Sequence, residues 1–255
     1  MKKILLGAIA TVVISSTAFA ADLPARTYSK APVAVAPIYN WGGVYVGGHA
    51  GYGFSDPRYD FVTAGHYNFV PGDSFKYSTD GFIGGGHLGY NWVASNFLFG
   101  LEGAFSYSDI KGSAASPFFP VTDTFHTNVR WIATVTPRLG VTSGAWLFYA
   151  KGGVAFADIN TEIRDTVHYN ARSSTKTGWT VGGGVEYLIS SNWVVGVEGN
   201  YYDFGRVNGG SSQSLLIATN LPAPFTLSDH STRADLFSVL GRVSYKFGGP
   251  VVAKY

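Results

Sequence analysis

The stretch "FLFGLEGAFSY", Phe97 to Tyr107, decides how the chain is read. Side chains of a strand point alternately to its two faces, so the two parities form separate surfaces. One parity reads Phe97, Phe99, Leu101, Gly103, Phe105 and Tyr107 and carries no charge; the other holds Glu102 at its centre. A second copy, "VGVEGNYYD" from Val195 to Asp203, repeats the arrangement around Glu198. An acid on one face of a strand whose other face is wholly apolar must be enclosed with a partner, because an unpaired buried carboxylate is too costly.

The same alternation recurs across residues 44–54, 82–92, 131–141, 146–156, 179–189, 193–201 and 237–247, giving eight segments with the first. In none of them does the apolar parity contain a charged residue. The other parity collects His49, His87, Asn91, Glu102, Arg130, Thr134, Arg138, Lys151, Thr180, Glu186, Glu198, Asn200, Arg242, Ser244 and Lys246. That parity is glycine-rich and too sparsely charged for a solvated exterior. The reading is therefore apolar outside and polar inside, an eight-stranded antiparallel transmembrane β-barrel of up-and-down topology in the all-β class. Most apolar stripes begin and end in an aromatic, as Phe82 and Trp92 or Trp146 and Phe156 do, matching the girdles at the two edges of an apolar band about 25 Å tall. Pro137, on an apolar face, suggests a bulge or strand end there.

"VASN" (93–96), "TSGA" (142–145) and "SSN" (190–192) are tight turns, whereas residues 55–79, 109–126, 160–176 and 205–232 form four long polar external loops. Barrels of this kind put short turns in the periplasm and long loops outside, so both termini are expected in the periplasm. Residues 1–20, with Lys2 and Lys3 before an apolar run and Ala18-Phe19-Ala20 at its end, read as a secretory signal peptide. Residues 21–40 are a Pro/Ala-rich periplasmic linker, and 41–255 the barrel. Lys2 and Lys3 account for the excess of 18 basic over 16 acidic residues, so the remaining chain is balanced and no nucleic-acid partner is expected. Charged residues make up 13% of the chain against about 25% in soluble domains, and there is no cysteine.

Inside an eight-stranded barrel there is room for little more than side chains. Glu102 is expected to pair with Arg130 and Arg138 on the next strand, Glu186 with Lys151, and Glu198 with Arg242, in an ion-pair network that plugs the lumen. Gly100 and Gly103 leave room for Arg and Tyr side chains, and His49 and His87 fill the lumen by hydrogen bonding. No Gly-x-Ser-x-Gly element, metal-ligand spacing or phosphate loop occurs. Asp123, His126 and His168 could meet at the outer rim as a hydrolytic group, but nothing in their spacing requires it. The expectation is a non-enzymatic protein with no cofactor or metal, whose partners are outer-membrane lipids and lipopolysaccharide.

The chain resembles the small outer-membrane β-barrel proteins of alphaproteobacteria, which include immunodominant surface proteins and haemin-binding proteins. "AADLPA" (20–25), "YNWGGVYVGGHAGYGF" (39–54), "GLEGAFSYSD" (100–109), "PRLGV" (137–141), "GVEGNYYDFG" (196–205) and "YKFGGPVVAKY" (245–255) carry the resemblance. It implies an OmpA-like barrel of structural or surface role. With eight residues after Phe247, no peptidoglycan-binding domain is expected beyond it. In the barrels the chain resembles, an N-terminal Ala-Asp marks attachment of the α-amine to peptidoglycan, so the resemblance implies such a link at Ala21 after cleavage. Haemin binding, the alternative, would draw ligands from His66, Tyr67, His126, His168 and His230, and narrow porin activity is a further one.

Overall fold

The computed structural model describes residues 39–61, 71–117, 121–164, 168–208, 213–216, 222–226 and 230–247. Of residues 168–172, 207–208, 213–216, 222–226, 230 and 234 the backbone alone is described. Residues 1–38 lie outside the described part, so the signal peptide, most of the linker and Ala21 are not placed.

The described strands are β1 (Gly43–Ser55), β2 (Arg58–Phe61), β3 (Ser74–Lys76), β4 (Thr79–Ala94), β5 (Phe97–Ala115), β6 (Thr124–Ser143), β7 (Trp146–Arg164), β8 (His168–Leu188), β9 (Trp193–Asn208), β10 (Gln213–Leu216), β11 (Pro222–Thr226) and β12 (His230–Phe247). The ring runs β1, β4, β5, β6, β7, β8, β9, β12 and back to β1, every pair antiparallel. Closure is set by β1 against β12, from Val44 opposite Phe247 to Phe54 opposite Phe237, which aligns two uncharged stripes. A closed ring leaves no unpaired edge, as the absence of water in a bilayer demands.

Short turns close one end. Ser95 and Asn96 join β4 to β5 with Ser95 at φ 58°, and Gly144 at φ 57° lies between β6 and β7. Left-handed residues suit two-residue hairpin turns, whose twist matches that of the strands. At the other end two of the four long connections are largely hairpin rather than loop. β5 and β6 stay paired out to Ala115 opposite Thr124, and β7 and β8 out to Arg164 opposite Tyr169. β2 and β3 form a small hairpin docked on β12.

The uncharged parity faces outward throughout. Phe97, Phe99, Leu101, Phe105 and Tyr107 are 48–68% exposed, while Glu102 between them is fully buried. Rings gather into two belts. Trp146 lies tilted against Tyr187 and Trp193 edge-on to Tyr245 towards the turns, and Phe105 pairs with Trp131 and Trp179 with Tyr201 towards the loops.

Pro137 does not bring the expected bulge. It lies inside β6 opposite Leu101, and the β6–β7 ladder merely lacks the rungs at Thr136 and Pro137 with no change of register. The irregularity is at Arg130, an extra residue between Val129 opposite Ile159 and Trp131 opposite Asp158. Beyond it the parity of β6 reverses, and Val129, Thr127 and Phe125 turn inward.

The lumen is layered. Trp41, Leu98, Ala145, Leu147, Tyr149, Leu188 and Val194 cluster at the turn end. Trp41 reaches from ahead of β1 to the opposite wall, donating its indole N–H to the Gly144 carbonyl at 3.1 Å. A second apolar cluster, including Ile83, Ile110, Ile132, Tyr202, Phe204 and Leu240, lies towards the loops. Above it Tyr59, Phe61, Phe125 and Ile163 pack with Phe75 and Tyr77. Burial there pushes the phenols of Tyr59 and Tyr77 above their ordinary range.

Val197, at the centre of an outward stripe and 60% exposed, tests which face meets lipid. Val197→Arg should cost roughly 2–4 kcal/mol in urea titrations of refolding into phospholipid vesicles, and Val197→Leu almost nothing. An arginine tolerated at this position would contradict the membrane-facing assignment.

Candidate functional site

Between the two apolar clusters six charged side chains fill the middle of the lumen. Arg138 comes from β6, Lys151 from β7 and Arg242 from β12; Glu102 comes from β5, Glu186 from β8 and Glu198 from β9. None is more than 7% exposed. The alternation of each strand aims these side chains inward, and the register stacks them at one height.

Glu102 is the hub. Oε1 accepts from Lys151 Nζ at 2.9 Å and from Arg242 Nη1 at 3.1 Å; Oε2 accepts from Arg242 Nη2 at 2.5 Å, Arg138 Nη1 at 3.3 Å and the Tyr45 hydroxyl at 2.8 Å. Glu198 pairs with Arg242 and, at 2.7 Å, with Lys151, while the Tyr149 hydroxyl and the Asn200 amide donate to it. Glu186 takes Arg138 at 2.9 Å and lies 3.6 Å from Arg242 Nε. The Arg138 guanidinium also lies 4.1 Å from the centre of the Tyr149 ring and 5.3 Å from that of Tyr45. Three cations face three anions, so the layer is neutral within itself. Such a layer repays its desolvation where each acceptor meets several donors, as both oxygens of Glu102 and of Glu198 do; Glu186 Oε2 has Arg138 alone and Glu186 Oε1 has no hydrogen bond.

Glycines make the space. A Cβ at Gly89 would strike the Tyr45 hydroxyl, one at Gly184 would come within 2.7 Å of the Tyr149 hydroxyl, and one at Gly100 within 2.9 Å of Arg138. Gly100 therefore serves the purpose expected of it. Gly103 does not, since nothing lies within 4 Å of its Cβ position.

Two expected pairings are corrected. Arg130 is not in the lumen: the bulge turns it outward, where it is half exposed and binds Asp158 at 2.5 Å and the Ser173 hydroxyl at 2.9 Å. Lys151 does not pair with Glu186, because Glu186 stands opposite Leu147, further along the strand. Lys151 reaches Glu102 and Glu198 instead. Tyr45 and Tyr149 were missed, although both sit on the inward parity, where an aromatic has no lipid to face and its hydroxyl must find an acceptor. His49 and His87 do fill the lumen by hydrogen bonding. Their Nδ1 atoms lie 3.2 Å apart, His49 Nε2 is 2.8 Å from Ser106 Oγ, and His87 Nε2 is 2.8 Å from Ser244 Oγ.

Of the loop candidates, His66 and Tyr67 lie outside the described residues, and for His168 and His230 only the backbone is described, at the first positions of β8 and β12. Asp123 is buried and accepts from the Thr122 hydroxyl at 2.7 Å. His126 is exposed on the outer wall, in a groove of about 570 Å³ lined by Lys111, Ser113, Asn128, Asn160, Glu162 and Arg164. No aromatic or aliphatic face lines it against which a porphyrin could stack. Among the described residues no group of three or more His, Cys, Asp or Glu is arranged to hold a metal.

A closed ring with an uncharged, aromatic-belted exterior and a charged, enclosed interior is a transmembrane β-barrel. The family model described as "Outer membrane protein beta-barrel domain" matches residues 6–223, and the chain belongs to this family. It is 32% identical over 215 residues to the 31 kDa outer-membrane immunogenic protein of Brucella melitensis biotype 1, covering 82% of this chain and 89% of that protein. It is 29% identical over 170 residues to the 22 kDa outer membrane protein of Rhizobium leguminosarum bv. viciae, covering 67% of each. Among solved structures the outer membrane protease OmpT of Escherichia coli superposes with a TM-score of 0.50 at 10% identity, over 80% of this chain and 96% of that one. At that identity the likeness is one of fold alone. The protein is an outer-membrane β-barrel protein.

The hub predicts an order of effects. Glu102→Gln removes the only acid touching all three cations and should destabilise the barrel by roughly 3–5 kcal/mol in a denaturant titration, more than Glu186→Gln does. Glu198→Gln with Arg242→Met should recover little, because removing Arg242 also strips Glu102 of two hydrogen bonds. Full recovery in that double-mutant cycle would show that Glu198 and Arg242 form an isolated pair.

Proposed function

We propose that the protein is a non-enzymatic, closed outer-membrane barrel that contributes to envelope integrity and surface contacts, with its long loops outside and both termini in the periplasm. The observation carrying this reading is the neutral ion layer. Its six charges pair with one another and with tyrosine hydroxyls, and apolar clusters lie on either side. A lumen filled in this way leaves no wide aqueous path. Refolded protein in a planar bilayer should therefore give no steady single-channel current, and a persistent open level would contradict the closed lumen. Haemin added to the same protein should leave the Soret band where it is; a shift would favour the haemin-binding alternative.

The tether to the cell wall rests on the sequence. After removal of residues 1–20 the chain begins "ADLPARTYSKAP" at Ala21, and the linker of residues 21–40 could extend roughly 60 Å from the barrel in a polyproline-like conformation. The α-amine of Ala21 would attack the acyl group that a transpeptidase carries from a peptidoglycan stem peptide. An amide bond forms, and the enzyme's nucleophile leaves. Such a link fastens the outer membrane to the wall through the barrel itself. Purified sacculi digested with muramidase and trypsin should yield the peptide from Ala21 to Arg26 joined to a muropeptide. Recovery of the free peptide alone, from cells whose other barrels carry such links, would dismiss the tether and leave the barrel reading intact.

A further inference from the structure

On the outer wall, the side chains change character just beyond the loop-end belt of Tyr107, Trp131, Phe156 and Trp179. Lys111, Asn128 and Asn160 stand opposite one another on β5, β6 and β7, and Ser113, His126 and Glu162 form the next row. With Arg164 they line the groove of about 570 Å³ described above. Its lower edge continues onto the outward aromatic stripes, so a molecule lying there has lipid-facing wall beneath it.

The groove offers two kinds of chemistry. Lys111 and Arg164, with side chains 59% and 53% exposed, are cations with open heads, and Arg130 at 50% lies just below. Acids accompany each: Asp109 binds Lys111, Glu162 binds Arg164 at 2.8 Å and Asp158 binds Arg130. The cations are thus held in place by acids, and the net charge is small. Between them lie Asn128 and Asn160, whose amides line the groove. Amides, a hydroxyl and a carboxylate beside cations suit a polar ring bearing both hydroxyls and an anionic group, better than a bare phosphate or an apolar ligand.

We propose that this groove holds the phosphorylated amino-sugar headgroup of a lipopolysaccharide molecule. The phosphate lies between Lys111 and Arg164, the sugar hydroxyls and amide on Asn128, Asn160 and Glu162, and the acyl chains run down over Tyr107, Trp131 and Phe156. The inference rests on the orientation given under the proposed function, because the leaflet beside this belt contains lipopolysaccharide only if the long connections face outward.

The test uses the full refolded barrel in detergent, titrated with bis-phosphorylated lipid A and observed by native mass spectrometry. Lipid A should bind about tenfold tighter than phosphatidylglycerol, and Lys111→Ala with Arg164→Ala should abolish that preference. Asn128→Asp, which preserves size but sets a carboxylate beside the phosphate, should weaken binding as well. Both variants are checked for the gel-mobility shift of a folded barrel on heating. Free glucosamine 6-phosphate should compete only at far higher concentration. Equal affinity of wild type and the double variant, no preference over phosphatidylglycerol, or competition by the free sugar phosphate at matching concentration would each overturn the site. Separately, Val121→Cys, 94% exposed in the connection between β5 and β6 and outside the groove, should react with a membrane-impermeant maleimide on intact cells. Absence of label would overturn the orientation and with it this occupant, whereas label without lipid A selectivity overturns the groove alone.

Discussion

The interior of an eight-stranded barrel is wide enough for side chains and too narrow for bulk water, and from this the rest of the structure follows. A carboxylate placed there cannot be hydrated, so it must be surrounded by donors. Glu102 is fully buried and meets that demand with Arg138, Lys151, Arg242 and Tyr45. These arrive from four strands of the ring, so satisfying one acid fixes the relative height of much of the wall. Each cation then needs a second anion, which Glu186 and Glu198 provide. Glycines at Gly89, Gly100 and Gly184 are the spatial counterpart of the same demand, because the tyrosines and Arg138 can approach only where the facing wall has no side chain.

Much of this was legible in the sequence, because alternation is a local property. Eight uncharged stripes with aromatics at their ends specify which face meets lipid, and the acids in the two Gly-x-Glu-Gly copies mark the inside. Arg138 follows from Glu102 because it lies on the next strand near the same level. What escaped depends on register and on departures from alternation. One added residue at Arg130 reverses the parity of β6 above it, and a side chain of lumen parity by counting becomes a surface one. Lys151 was assigned to Glu186 by strand adjacency, yet register sets Leu147 opposite that acid. Pro137 looked like a disruption, but the strand keeps its register without the missing donor. The lumen was also read as uniformly polar. Leu98, Ile132, Leu147 and Leu240 lie on the inward parity, and their grouping above and below the charges emerges only from the ring.

Inner and outer walls carry separate duties. In the lumen the charged side chains are turned upon one another. Contacts with the surroundings fall to the outward face and the extended hairpins of β5 to β8, which continue past the aromatic belt with exposed polar side chains.

The central claim, that Glu102 organises a water-excluded ion layer, is open to one direct measurement. Nitrogen-15 NMR of the refolded barrel in micelles at neutral pH can observe the Lys151 ammonium and the Arg138 and Arg242 guanidinium groups. The account predicts separate, slowly exchanging signals for all three that collapse towards free-solution behaviour in Glu102→Gln. Averaged, rapidly exchanging signals in the wild-type protein would show that water reaches these cations and would contradict the account.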